Sequence, residues 1–274
     1  MRREAHLNVQ RDSGRDGADG TVGKALEVLD RVAAFARPVR FSELLETSPF
    51  PKATLYRLVQ TLTSQGMLRY DPERGTYAPG MRLVRMAHAA WAQSSIAPIA
   101  RPHLDSLSML AGETVHLAQL DGGQVLYVDK RNPARPLPMY SDAGKVGPAY
   151  CTGVGKAMLA WLPEPTLDAV LAQQSWHRFT DTTLTTPDAM RAELAAIRTA
   201  GHAFDREEHE PGIHCIAVPI LSANGQVLGA VSVTSSTDRG TLEDMKRHLP
   251  HLRQAVERIA GDMRDWRFPD QREV

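Results

Sequence analysis

The 274-residue sequence predicts an α+β protein: an N-terminal winged helix-turn-helix, a linker helix, and an antiparallel sheet flanked by helices. Three observations predict it. A helical segment from Pro51 with a polar, basic outer face follows two other helical segments and precedes a hairpin signal. From residue 97 the pattern changes to hairpins interspersed with helices. Charge changes at the same place: residues 21–96 carry ten Lys and Arg against six Asp and Glu, and residues 97–274 carry eighteen against twenty-two.

Residues 1–20 mix charges with glycine and lack an apolar stretch, so they read as a disordered tail and not as an export signal. Next, Val22, Ala25, Leu26, Leu29, Val32, Ala33 and Ala36 share one helical face, with Thr21 as N-cap and Pro38 just past the end. Phe41 to Ser48 is a second short piece, apolar at Leu44 and Leu45, and Pro49-Phe50 turns the chain. Pro51 suits the first position of the third helix, where its missing N–H is not needed. Leu55, Leu58, Val59 and Leu62 face inward at helical spacing. Lys52, Ala53, Thr54, Tyr56, Arg57 and Gln60 face outward or lie on the first turn. Such small, polar and basic side chains can approach a phosphate backbone and reach base edges. Gly66 ends this helix. Met67-Leu68-Arg69-Tyr70, the turn Asp71 to Gly75, and Thr76-Tyr77-Ala78 form a hairpin in the position of a wing, closing a domain over 21–80.

Residues 81–96 read as an amphipathic linker helix with Leu83, Met86, Ala87, Ala90 and Trp91 on one side. That stripe packs either on its own domain or on the same helix of a second copy. The domain over 97–274 starts with a helix from Pro98 to Leu110, apolar at Leu104, Leu107 and Leu110. Thr114 to Leu120 and Val125 to Val128 flank Asp121-Gly122-Gly123, a hairpin. A short helix runs from Lys156 to Leu162, stopped by Pro163. Thr186-Pro187 starts a helix that Gly201 ends. Ile213 to Leu221 and Val227 to Thr234 pair around Asn224-Gly225. Leu242, Met245, Leu249, Leu252, Val256 and Ile259 make a closing helix, kinked at Pro250.

Composition sets bounds on function. No run of eighteen apolar residues occurs, so no membrane span is expected. Two cysteines, Cys151 and Cys215, make no disulfide framework and fit a reducing cytoplasm. Net charge is zero, but the charge asymmetry favours nucleic acid at the N-terminal domain alone. One such domain binds DNA weakly. Two copies on one duplex would roughly double the phosphate contacts, which agrees with a dimer.

Chemistry-bearing residues cluster in the second domain. Tyr150 to Ala157 is not a phosphate-binding loop, because Tyr150 and Ala157 stand where a glycine and a Ser or Thr are required. The turn Thr152-Gly153-Val154-Gly155 still leads into a helix, and a helix start offers free N–H groups to a carboxylate. Cys151 and Cys215 read as buried or pocket-lining. In a strand, His214 would point away from Cys215, and His202, His209 and His214 form no metal-ligand spacing. Ser232 and Thr234, two apart in a strand, place both hydroxyls on one face, where they can hold a small polar ligand.

Lys24-Ala25-Leu26, Pro51-Lys52-Ala53-Thr54, Arg57-Leu58, Thr61-Leu62 and Gly66 resemble the winged helix-turn-helix of the isocitrate lyase regulator (IclR) family of bacterial transcription regulators. Pro148 to Ala157 is similar to the central motif of that family's ligand domain, and Glu207-Glu208, Gly212 and Cys215 to Ile220 to its second motif. The resemblance covers all but the two termini. One departure is Pro49, where the family often has glycine. The resemblance implies a GAF-like C-terminal domain and packing of the linker stripe on a second copy. It also implies an effector pocket formed by Asp205, Cys215, Gly153, Val154, Ser232 and Thr234, with Met139 and Ile213 as apolar walls; Cys151 joins these candidates. Pro136 to Ser141 is similar to sugar-acid-sensing members.

These readings converge on a cytoplasmic one-component regulator that works without cofactor, metal or catalytic residues. It would act as a homodimer or tetramer, bind a palindromic or pseudopalindromic operator, and sense a small organic acid, a sugar acid or keto acid. The alternatives are an enzyme centred on Cys151, Asp205 and Cys215, and a module whose C-terminal domain only dimerises.

Overall fold

The computed structural model describes residues 20–94, 96–133 and 137–263. Apart from Gly20, the segment read as a disordered tail lies outside the described residues. The chain divides into two compact units between Ala90 and Trp91.

The first unit contains α1 (Thr21–Ala34), β1 (Val39–Arg40), α2 (Phe41–Thr47), α3 (Lys52–Ser64), β2 (Leu68–Asp71), β3 (Thr76–Pro79) and the start of α4 (Met81–Ser94). Its sheet has the order β1-β3-β2, all antiparallel. Val28, Leu29 and Val32 of α1, Leu44 of α2, and Leu55, Leu58, Val59 and Leu62 of α3 form the core with Leu68 and Tyr77 of the wing. The two residues of β1 are too few to carry a sequence pattern, and they pair with β3 as an addition to the expected hairpin.

Several boundaries differ from expectation. The N-cap of α1 is Gly20 and not Thr21, and no side chain caps it. Ala36 lies outside the helix in the left-handed region (φ 53°). Val22 and Leu26 are 74% and 50% exposed, so the apolar stripe of α1 is longer than the core beneath it. Pro51 is the N-cap of α3 rather than its first helical residue, with ψ 149°, and its carbonyl accepts the Leu55 N–H at 3.0 Å. The turn between α2 and α3 runs through an extended Ser48 (φ −85°, ψ 137°), whose Oγ accepts the Phe50 N–H at 3.0 Å. No residue of this turn needs positive φ, and that is how Pro49 is accommodated. On α4, Leu83 packs on the core, whereas Met81, Val84 and Met86 are exposed, as are Ala87 and Ala90. Most of the linker stripe is therefore not buried against its own unit. The Trp91 side chain lies outside those described.

The second unit contains α5 (Ala97–Ala111), β4 (Thr114–Asp121), β5 (Gln124–Arg131), β6 (Val146–Pro148), α6 (Gly153–Leu159), α7 (Glu164–Ala172), α8 (Pro187–Ala200), β7 (Ala203–Arg206), β8 (Ile213–Leu221), β9 (Val227–Ser236) and α9 (Leu249–Asp262). Six strands form one antiparallel sheet, ordered β6-β5-β4-β9-β8-β7. Alternation along the strands gives it two faces. Val115, Leu117, Ile216, Val218, Val231 and Val233 pack on α5 and α9. Ala118, Val125, Tyr127, Ala217 and Ala230 pack beneath α6, α7 and α8.

Here too the differences have local causes. The helix expected from Lys156 begins at Gly153, and its seven residues are all buried. A Cβ on Gly155 would overlap the Ala149 backbone, so only glycine fits that turn. Leu104 and Leu107 of α5 are buried, whereas Leu110, apolar at the same spacing, is 60% exposed. Pro250 sits in the first turn of α9, after a separate 3-10 turn over Asp244–His248, so the expected kink is a helix start. The strands β6 and β7 and the helix α7 were not foreseen.

Candidate functional site

Strand pairing gathers the chemistry. Thr234 of β9 sits opposite Cys215 of β8, and Cys215 opposite Asp205 of β7. On the other side Ser232 sits opposite His116 of β4. A band of polar side chains thus crosses four strands on the α6 face. Along this band lies a cavity of about 30 Å³, lined by His116, Tyr127, Met139, Ser141, Thr152, Gly153, Val154, Asp205, His209, Glu210, Ile213, Cys215, Ser232 and Thr234. That space is room for about two waters.

Eight of the nine residues read from the sequence as effector-binding line this cavity. The ninth, Cys151, does not: it is fully buried in the apolar core beside Ala149 and Tyr150. His116, Tyr127, Ser141, His209 and Glu210 were missed, and Thr152 was read only as part of the turn before α6. His116 carried a signal, as a lone histidine in an apolar strand, but only strand register places it across from Ser232. Ser141 and Glu210 lie on loops, which have no periodicity to read. A larger space of about 260 Å³ opens at the other ends of β4 and β9, lined by Gln119, Leu120, Met158, Val227, Leu228 and Gly229, without a titratable group.

The cavity's hydrogen bonds form a chain. Ser232 Oγ lies 3.4 Å from Thr234 Oγ1, Thr234 Oγ1 lies 3.2 Å from His116 Nδ1, and His116 Nε2 lies 2.9 Å from Ser141 Oγ. Ser141 belongs to the loop between β5 and β6. That loop is tied down by Lys130 Nζ, which donates to the Ser141 carbonyl at 2.7 Å, and by the Tyr140 N–H, which donates to Glu210 at 2.6 Å.

The electrostatics are set by burial. Asp205 is pushed up to about 7, by burial first and then by the Glu208 carboxylate. His116 is pushed down to about 3, by burial first and then by Lys130, so its ring is neutral. Both thiols are pushed far above the usual range by burial and then by Asp205. This is the reverse of what a thiolate nucleophile needs. Among the described residues no group of three His, Cys, Asp or Glu is placed to hold a metal ion. Behind Asp205, the fully buried Lys156 pairs with Glu208 and, at 3.1 Å, with Glu193. The Glu208 N–H donates to Asp205 Oδ1 at 2.8 Å. This pair therefore anchors the turn that follows Asp205 at the end of β7.

Gly153 closes the cavity on the α6 side. A Cβ there would approach Cys215 Sγ to well under 3.0 Å and Ala217 Cβ to 3.5 Å. Only glycine lets the start of α6 lie on β8 this closely.

In the first unit, Lys52, Ala53, Tyr56, Arg57 and Gln60 are exposed on α3, and Thr54 is half-buried on the first turn. Tyr56 lies edge-on against Phe41, with ring centroids 5.9 Å apart. At the wing tip Asp71 Oδ1 accepts the Glu73 and Arg74 N–H groups, and Gly75 takes φ 62°, which leaves Arg74 exposed.

Comparison with known proteins adds family information to this geometry. Residues 21–72 match the family model described as the IclR helix-turn-helix domain, and residues 88–261 match that described as bacterial transcriptional regulator IclR C-terminal. The chain is 33% identical over 244 residues to the HTH-type transcriptional regulator XynR of Escherichia coli, covering 88% of this chain and 97% of that one. It is 29% identical to KdgR of the same organism, covering 90% and 95%. The crystal structure of the Thermotoga maritima IclR superposes with a TM-score of 0.74 at 31% identity, covering 89% of this chain and 98% of that one.

Proposed function

Because this chain belongs to the IclR family, and is thus a DNA-binding transcription regulator with a C-terminal effector-binding domain, we propose that its effector is a small organic acid held in the cavity between α6, β8 and β9. One observation carries this reading: Gly153, Val154, Asp205, Cys215, Ser232 and Thr234, far apart in sequence, line one cavity. The first N–H groups of α6 suit a carboxylate, and the Ser232 and Thr234 hydroxyls suit a neighbouring hydroxyl or carbonyl oxygen. Asp205 would meet such an anion in its protonated form, for which its raised pKa provides.

DNA is read by the outer face of α3, with Lys52 and Arg57 as charged contacts and Ala53, Thr54, Tyr56 and Gln60 against the groove. Two copies of the chain present two such helices to an operator with two half-sites. The effector acts by binding one arrangement of the dimer better than another, which changes operator affinity. The residue boundaries proposed for these roles are 21–80 for DNA, 81–96 for the linker and 97–274 for the effector domain. The exposed Met81, Val84 and Met86 on α4 support pairing through the linker. Among the described residues no helix is long and apolar enough to cross a membrane, and a cytoplasmic setting is part of the same reading.

The test is operator affinity with and without the acid that gives the largest thermal shift among sugar acids, keto acids and aromatic acids. The double variant Ser232→Ala/Thr234→Val should lose the effector response and keep DNA binding. Each ligand oxygen left unpaired costs about 1–3 kcal/mol. An undiminished response would place the effector elsewhere.

A further inference from the structure

Resting on that reading of the cavity, we propose that His116 determines ligand specificity: its Nε2 is the position of a ligand hydroxyl, and the Ser141 hydroxyl fills that position here. Among the described residues the wall of the cavity contains no lysine or arginine; besides the carboxyls of Asp205 and Glu210, its polar groups are imidazoles and hydroxyls. A lining of imidazole and hydroxyls beside two carboxyls matches ligand hydroxyls better than a second negative charge. His116 is the buried centre of that lining. It is 2% exposed, with one ring nitrogen on Thr234 and the other on Ser141. Tyr127 packs edge-on against the ring at 5.3 Å and fixes its plane.

The two partners of the ring differ in kind. Thr234 sits in mid-sheet. Ser141 comes from the β5–β6 loop, which is held by its backbone: the Ser141 carbonyl on Lys130 and the Tyr140 N–H on Glu210. The Ser141 side chain can leave His116 without releasing either anchor. The Ser141 hydroxyl already occupies Nε2 of the ring, so a ligand hydroxyl reaches that nitrogen only when this side chain moves. Ser141 Oγ is the polar atom whose removal leaves a vacant partner for a hydroxyl, because serine and ligand hydroxyls are both donor and acceptor. A keto oxygen only accepts and is matched by one of the two tautomers of the ring.

The experiment measures binding of threonate, arabinonate, gluconate, galactonate and pyruvate to the full chain and to Ser141→Ala and His116→Phe, by calorimetry and thermal shift. Ser141→Ala should bind the preferred hydroxylated acid about three- to tenfold more tightly, since no serine has to be displaced. His116→Phe, which keeps a flat ring against Tyr127, should lose at least tenfold for that acid and lose its preference over pyruvate. Equal or weaker binding by Ser141→Ala overturns the inference, because a merely structural serine would give that result. If His116→Phe does not fold, the sign of the Ser141→Ala effect decides alone. A wild-type chain that binds none of the four hydroxylated acids overturns the ligand class itself, and with it this inference.

Discussion

Gly153→Ala offers a direct test of how α6 meets the sheet. The added methyl would lie well under 3.0 Å from Cys215 Sγ. Ordinary non-bonded contacts to carbon are about 3.5–4.0 Å, so helix or strand must shift by on the order of 1 Å. Overpacking of that kind costs roughly 1–3 kcal/mol. Against this, replacing glycine by alanine in a helix gains about 0.5–1 kcal/mol. The net loss is then about 1–2 kcal/mol, roughly a 5- to 30-fold smaller folding constant. In a Cys215→Ala background the sulfur is gone and only the gain remains. Gly153→Ala should therefore destabilise the wild type and stabilise the Cys215→Ala chain. Trp161 and Trp176 pack against the core of the second unit, so urea unfolding followed by tryptophan fluorescence reports on it. Equal effects in the two backgrounds would refute the assignment of the clash to Cys215.

Other expectations follow from the same geometry. Arg57→Gln should weaken operator binding by about 1–3 kcal/mol if the side chain reads a base, with folding unchanged; gel-shift titration measures it. Lys156→Met leaves the buried Glu208 carboxylate with only the more distant Arg206, 3.8 Å away, and should cost about 3 kcal/mol, and Lys156→Met with Glu208→Leu should recover most of it in urea titrations. Effector affinity should fall as pH rises through about 7. Below that value Asp205 keeps its proton and does not oppose an anion; above it the carboxylate repels one, by up to tenfold per pH unit. Calorimetry of Asp205→Asn should show a flatter profile, and a steep one would assign the titration to another group. The fragment 81–274, which keeps the linker helix, should sediment as a dimer at micromolar concentration, and a soluble monomer would contradict pairing through the linker.

Periodic features were legible in the sequence and singular ones were not. The inward face of α3 and the β8–β9 hairpin show as spacing, and both are present with boundaries close to those read. The wing hairpin was read from its turn residues, whereas β1 has too few residues to form a pattern. The start of α6 was misplaced by three residues because two glycines so close together resemble a loop. Their reason is tertiary: Cys215 stands over one and the Ala149 backbone over the other. At the cavity, the strand residues Ser232 and Thr234 were found by alternation. His116, Ser141 and Glu210 depend on strand register and on where a loop lies, and sequence spacing records neither.

Alternation along β9 also bears on how such a sensor can change over evolutionary time. Ser232 and Thr234 point into the cavity, while the interleaved Val231 and Val233 belong to the apolar layer under α5 and α9. Recognition and cohesion are thus written in alternate letters of the same strand. A lineage can rewrite the first set to meet a new metabolite while leaving the second untouched. Drift in ligand preference then carries little penalty in folding, and a single scaffold can supply many sensors.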